Sequence, residues 1–551
     1  MRSRCLFIVP PCVDKTFFGQ KAEDEVFFNR IRKEMPLGAL TLATYMKHYT
    51  DAFVELVDLN LLIAEEYEKG NIKCIDDAFE FIKKSIRCLK EREFDFAGIS
   101  AIFNPTFGWI ELISNCLKET FSGMIIVAGG GIPTNLPKDV FDNCPSVDYI
   151  SYGEGELSIC GIINAYDEQG YARECKSIYT REKIRSGWKA QFELIEDLDE
   201  IPPLDFSMLK LREYDHHSRP QSNIEIVAAP LMFSRGCPFN CCFCASHSVH
   251  GKRVRWNSME RIEHDLRQVV RDYNVNAVEV WDDNFFVDKD KAIRLMELFR
   301  ELHLFVDFSN SLPVYQIDDT IAAMLKEGGI EVVSLAIESG NPRVLKEIIH
   351  KPLKLEMVPK AIDILRKYDF YIQGLFVIGF PGETLEDIDV TMKFIHECKL
   401  NWVNIFVASP LPGSELMEKC LEGGYLDIDS VASIAFTKGS ISTEHWSAHD
   451  IEEIQQYNTI KKDFVNNQDM IDKKWERALK NFGFVIDAHY ENPFAFFYAA
   501  RCLENLNDNS KAKEYYDHCR QIIDSNVGYR RLWNRFVSEG VDLSPVSEDI
   551  A

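Results

Sequence analysis

The chain lacks any apolar stretch approaching the ~18–20 residues that a membrane span needs. It lacks the charged-then-apolar opening of a signal peptide, because the run 5–11 is too short and reads as a first strand. It lacks a basic excess. Its 62 Lys and Arg stand against 87 Asp and Glu, a formal net charge of −25, which argues against a surface built to grip nucleic acid. Lys252, Arg253 and Arg255 form one short basic run, the size of a solvated face or an internal ligand clamp. It also lacks a disulfide framework, since its 16 cysteines are scattered through 551 residues except at one place. These absences lead us to expect reduced thiols and a cytoplasmic protein. At this length a single core does not suffice, and about three domains are expected.

The exception is the run Arg235-Gly236-Cys237-Pro238-Phe239-Asn240-Cys241-Cys242-Phe243-Cys244. Cys237, Cys241 and Cys244 stand in a C-x3-C-x2-C spacing. Three thiolates so close can hold three irons of a [4Fe–4S] cluster, and the fourth iron is left without a protein ligand. An open position separates a catalytic metal centre from a closed structural one. A zinc site completed by Cys242, His247 or His250, and plain buried thiols, are the competing readings. Neither accounts for the aromatic Phe243 before the last cysteine or the apolar run 224–233 ahead of the motif. Cys242 is read as a variable position, not a ligand. The run resembles that of the radical S-adenosylmethionine (SAM) superfamily. The resemblance implies that SAM occupies the free iron and is cleaved there to a 5′-deoxyadenosyl radical.

The first 165 residues alternate strand-like segments (6–9, 53–58, 96–101, 124–128, 148–151) with helical patterns (37–49, 78–89, 106–119). That order predicts an α/β, doubly wound, Rossmann-like parallel sheet, with ligands at the carboxyl ends of its strands. Those ends carry Asp14, Thr16 and Gly19, then Ser100, then Gly129 and Gly130, and further on Gly153 and Glu154. The order resembles the cobalamin-binding domain that precedes many radical SAM cores, with its D-x-H-x-x-G, S-x-L and G-G pattern. Thr16 replaces the histidine and Ile102 the leucine, so the resemblance implies cobalamin without a protein imidazole below the cobalt.

Residues 166–225 are polar and irregular, with Pro202-Pro203 in an acidic stretch, and read as a linker. From 226 to 430 six strand–helix units follow one another, with strands at 226–233, 277–281, 305–309, 332–337, 372–378 and 403–408. This predicts a partial (β/α)6 barrel of the triosephosphate-isomerase type, its chemistry at the carboxyl ends of the strands. The cysteine run follows the first of them. Other strand ends carry Asp282, Asp283 and Asn284, then Ser334 and Glu338, then Ile378 and Gly379. The resemblance implies that these, with Phe243, contact SAM. Asp282 and Asp283 are adjacent, so one of the two is expected to face the site. Thr384 and Ser414 read as helix caps, whereas an acidic Glu338 straight after an apolar strand needs a partner if buried.

Residues 431–551 read as a separate helical region, with a helix pair at 493–506 and 510–523 resembling one tetratricopeptide unit and a loose tail at 542–551. The resemblance spans about residues 1–430. It implies a cobalamin-dependent radical SAM methyltransferase that methylates an unactivated carbon of a small-molecule, lipid or peptide substrate, with methylcobalamin as donor and a flavodoxin- or ferredoxin-like protein as electron source. Two alternatives stay open: a cobalamin-type cyclase or oxidoreductase without methyl transfer, and a non-enzymatic cobalamin or iron–sulfur sensing module.

Overall fold

The computed structural model describes residues 3–13, 31–165, 170–216, 225–426, 439–487 and 491–546. Strands β1 (Arg4–Val9), β2 (Phe53–Asp58), β3 (Phe96–Ser100), β4 (Ile125–Gly129), β5 (Tyr149–Ser151) and β6 (Ile178–Tyr179) form one sheet in the order β2-β1-β3-β4-β5-β6. The first five are parallel and β6 is antiparallel to β5. Leu6 and Ile8 of β1 pack under the helices that begin at Leu59, Ile75 and Phe107. Cys5 and Phe7 face the opposite layer, with Ala43, Met46 and Ile159. Both faces are covered, which is why β1 is apolar from Cys5 to Val9 and not alternating. The strand order reverses between β1 and β3, where such sheets open a ligand crevice.

Several elements escape the sequence pattern, two of them in or beside the first sheet. The edge strand β6 lies in the segment read as a linker. The helix Leu59–Glu68 follows β2 with no turn signal, because Asp58 is both the last strand residue and the helix cap, accepting from Leu61 N at 3.0 Å. Asp58 also accepts from Tyr214 Oη at 2.9 Å, which ties the connecting segment to the first sheet. Burial pushes the Asp58 carboxyl up to about 6, against the pull of these hydrogen bonds. The folded state therefore holds a proton that the unfolded chain has already lost. Stability from this group is full at low pH and is lost as pH rises through about 6. We expect the cofactor-free protein to lose about 1 kcal/mol between about pH 5.5 and about pH 7.5 through this group. Denaturant titrations at the two values should show that component removed by Asp58→Asn.

Strands β7 (Ala228–Leu231), β8 (Ser234–Arg235), β9 (Arg255–Trp256), β10 (Ala277–Val280), β11 (Phe305–Phe308), β12 (Leu312–Pro313), β13 (Val332–Glu338), β14 (Tyr371–Ile378) and β15 (Trp402–Val407) build the central region. They form parallel sheets β11-β10-β7 and β12-β13-β14-β15, with β8 and β9 as a separate antiparallel pair. The third predicted strand is β11, and the short β12, which the pattern does not predict, follows it past Ser311, whose φ is +61°. The two hand the ladder from one sheet to the other. Among the described residues no ladder joins β7 to β15, so the six units make an open arc and no closed barrel is seen. Val333, Leu335, Ile337, Ile372, Phe376, Val403 and Ile405 are buried against the outer helices. Alternate residues Ser334, Gln373 and Asn404 are half-buried on the other face.

The exposed edge at β15 is closed by the C-terminal helices. Asp463 accepts from Val403 N at 2.8 Å, and Gln455 donates to Ile405 O at 3.0 Å. Two side chains thus stand in for a missing strand, one way proteins blunt an open edge. The helix pair is present as Pro493–Asn505 and Asn509–Ser525, and a third helix, Val527–Ser538, packs on it. The expected loose tail is not loose through residue 546. Leu543 and Val546 are buried in the helical core, because each falls where that core still has an open apolar face.

Candidate active site

The loop 236–254 carries the three cysteines and is pinched at its base by the β8–β9 pair, Arg235 opposite Arg255. Gly236 has φ +94°, and a Cβ there would lie 2.5 Å from Arg253 O, so only glycine lets the two sides close. Cys237, Cys241 and Cys244 are half-buried and close enough to feel one another's charge. Burial pushes the Cys241 thiol up to about 12 and the Cys244 thiol to about 11. In this pocket a thiolate needs a positive partner, which iron supplies. Cys242 differs. It is 1% exposed inside the apolar core, its N donates to Ile349 O at 2.9 Å, and its carbonyl accepts from Leu416 N at 2.8 Å. It braces the loop from behind.

Of the Asp282-Asp283-Asn284 trio, both aspartates turn out to be staples. Asp282 is buried, accepting from Phe233 N at 3.0 Å and Ser234 Oγ at 2.5 Å. Burial pushes its carboxyl up to about 7. Asp283 accepts from Gly236 N at 2.9 Å and from Ser246 Oγ, and so ties the two ends of the cysteine segment together. Their oxygens accept from Phe233, Ser234, Gly236 and Ser246, the strand end and loop that they hold. Asn284 stands against Cys237 and reaches Tyr315 Oη at 3.4 Å, while its Oδ1 is buried with no partner. An orphaned acceptor beside the cysteines is a place for an ammonium donor.

Glu338 has the partner its burial demands, a base that residue order does not single out. Lys351 Nζ lies 3.0 Å from Glu338 Oε1. Burial pulls the Lys351 pKa down, but Glu338 and Cys241 outweigh it and raise it. Two irregularities bring the pair to the cysteines. The β13 ladder slips between Ala336 and Glu338, and Glu338 takes φ +68°. The segment Val344–Ile349 is a π-helix, which delivers Lys351 one residue past His350, itself at φ +64°. Arg343, Lys346 and Lys351 all follow Glu338 closely in the sequence, so a base was on offer but not which one folding would bring.

Phe243 faces Phe380, the residue after Gly379, with ring centroids 6.2 Å apart. Gly379 lies over Ile451. Ile378 was expected near SAM, but its side chain is fully buried in the helix-facing core. The two-residue alternation of β14 puts Val377, not Ile378, on the other face. Ser334 is half-buried on the open face and donates to Gln373 Oε1 at 3.1 Å.

At the first sheet, Ser100 and Gly129 close β3 and β4. A Cβ on Gly130 would lie 2.6 Å from Ala101 O, so this glycine lets two strand-end loops touch. Ile102 and Phe103 stand beside it, 43% and 46% exposed, offering apolar surface where a corrin could lie. Glu154, expected at the cobalamin, is a buried partner of Arg235, Arg255 and His250. Asp14, Thr16 and Gly19 lie outside the described residues.

Three thiols of one loop, half-buried together, suit three irons of a [4Fe–4S] cluster. The Radical SAM superfamily model matches residues 231–395, and the B12 binding domain model matches residues 32–163. An uncharacterized methyltransferase of Pyrococcus horikoshii is 30% identical over 365 residues, 65% of this chain and 77% of that one. The chain belongs to the cobalamin-binding radical SAM enzymes. This radical SAM enzyme is also 25% identical over 445 residues to the cytidylyl-2-hydroxyethylphosphonate methyltransferase of Streptomyces wedmorensis, 74% of this chain and 83% of that one. Its fold matches the cobalamin-dependent S-adenosylmethionine radical enzyme OxsB, solved with aqua-cobalamin bound, at TM-score 0.59 and 14% identity. That match covers 98% of the enzyme and 81% of OxsB. None of the enzyme's described helices is long and apolar enough to cross a membrane.

Proposed function

We propose that the enzyme is a cobalamin-dependent C-methyltransferase, working in the cytoplasm on a small-molecule, lipid or peptide substrate. The observation that carries the reading is one mouth where three half-buried cysteines meet an orphaned Asn284 oxygen and a buried Lys351–Glu338 pair, beside a cobalamin-type sheet. When bound, the cluster supplies the electron that splits SAM, and cobalamin carries the methyl group. Cys237, Cys241 and Cys244 hold the cluster. Asn284 Oδ1 accepts from the SAM ammonium, and Lys351 faces its carboxylate. Phe243, backed by the buried Phe380, and the Gly379 backbone offer an apolar seat for adenine, and Ser334 and Glu338 offer polar groups to the ribose and methionyl parts. The first 165 residues, 226–430 and 431–551 act as cobalamin, SAM and substrate-selecting units. The two relatives named as methyltransferases support methyl transfer over cyclisation.

The test uses anaerobically purified, iron-reconstituted protein with cobalamin, SAM and a low-potential reductant. We expect 5′-deoxyadenosine and S-adenosylhomocysteine together. Extracts of cells with and without the gene should differ by a metabolite heavier by one methyl group. Zinc in place of iron, or SAM left whole, rejects the reading. Deoxyadenosine with no methylated product assigns the enzyme to the cyclase or oxidoreductase alternative.

A further inference from the structure

The Gly153-Glu154-Gly155-Glu156 turn follows β5 of the first sheet, yet its carboxylates are spent on the central region. Glu154 accepts from Arg255 Nη1 at 3.0 Å and Nη2 at 2.5 Å, pairs with Arg235 Nη1 at 3.2 Å and meets His250 Nδ1 at 2.8 Å. Glu156 pairs with the other Arg235 nitrogen, Nη2, at 2.8 Å. The side chains of Glu154, Glu156 and Arg255 are each under 5% exposed, and that of Arg235 is 10% exposed. Burial opposes the Glu154 charge, but Arg235, His250 and Arg255 together hold its carboxyl well below the usual range.

Arg235 and Arg255 are the facing pair of β8 and β9, so both carboxylates grip the base of the cysteine loop. Arg235 lies two residues before Cys237. Two further contacts run alongside. Asn135 Nδ2, in the helix after the Gly129-Gly130-Gly131 turn, donates to Ser248 Oγ at 2.9 Å, four residues past Cys244. Gly153 has φ +73°, and a Cβ there would lie 3.2 Å from Val249 O. Apolar packing would hold two domains together just as well, but it is not directional. Two guanidinium groups forked between two carboxylates set both distance and angle.

We propose that this turn is a strut: Glu154 and Glu156 of the first domain fix the cysteine loop, through Arg235 and Arg255, in one position relative to the cobalamin-binding sheet. They are positioning residues, and the inference rests on the functional reading above. A radical made at the cysteine loop and a methyl carried on the first domain must meet one substrate carbon. A small misplacement of either is costly to rate.

Two measurements test the strut on the full-length protein. Amide hydrogen exchange on cofactor-free protein reads the loop directly. Glu154→Gln and Glu156→Gln should each speed exchange in peptides spanning 236–254 by about tenfold, with the helical region 491–546 unchanged. Glu453→Gln, which removes a surface ion pair with Arg531, should change neither. Pulsed electron paramagnetic resonance on protein loaded with cob(II)alamin and reduced cluster reads the separation of the two centres. One narrow distance is expected for the natural chain, a broadened distribution for both Gln variants, and a narrow one restored by Glu154→Asp. Should Glu154→Gln fail to fold, Glu156→Gln, which touches one arginine only, carries both readouts. Unchanged exchange and unchanged distance in the Gln variants overturn the strut. If the natural protein takes up neither iron nor cobalamin, the functional reading fails, while the exchange experiment still judges the strut.

Discussion

Cys237→Ala, Cys241→Ala and Cys244→Ala each abolish the iron–sulfur chromophore and all SAM cleavage, while Cys242→Ala keeps both. The contrast is sharp because four neighbouring cysteines divide by direction. Three are half-buried in a common pocket; the fourth is in the apolar core, its backbone bonded to Ile349 and Leu416. Removing one of three ligands leaves two thiolates for a cluster that already lacks a fourth protein ligand. Removing Cys242 deletes a small core side chain and costs about 1–2 kcal/mol of stability, not chemistry. Iron content, the visible spectrum and deoxyadenosine formation after anaerobic reconstitution check all four variants. Loss of the chromophore in Cys242→Ala alone would falsify the ligand assignment.

Lys351→Ala weakens SAM binding by about 30- to 150-fold, the equivalent of the roughly 2–3 kcal/mol that a hydrogen bond to a charged group contributes. The Lys351 ammonium acts on Cys241, and its pairing with Glu338 at 3.0 Å keeps it charged in a buried place. The variant has a second effect. It leaves Glu338 buried and uncompensated, at φ +68°, so part of the loss should appear as lowered stability. Lys351→Arg keeps the charge and should recover most of the affinity, while the double variant Lys351→Met with Glu338→Gln recovers stability but not affinity. Equilibrium SAM binding to reconstituted protein, with cluster content measured in the same samples, separates the two effects. Equal affinity in Lys351→Ala and the natural protein removes Lys351 from the site.

Much of the scaffold was legible from residue order. Parallel strands between covered faces are continuous apolar runs, so β1 to β5 and the six central units stood out, with Thr384 and Ser414 at the caps assigned to them. The elements that escaped had no local mark. The helix Leu59–Glu68 starts without a break from β2, and β6 is two residues long. At the site, residue type pointed to the right strand ends but not to the right atoms. Asp282, Asp283 and Asn284 look equivalent as a string, yet two of them hold the loop and one presents a free oxygen. Ile378 and Val377 differ only by the strand's alternation.

The sequence by itself determined that three closely spaced thiols follow the first strand of a repeated strand–helix region. Ligand type and interval are local properties of a loop. Only the tertiary structure decided which charges meet there. Lys351 is 13 residues from Glu338, and Glu154 is 81 residues from Arg235. A buried charge is tolerable only beside its opposite, and the chain order carries no record of which opposite folding will bring.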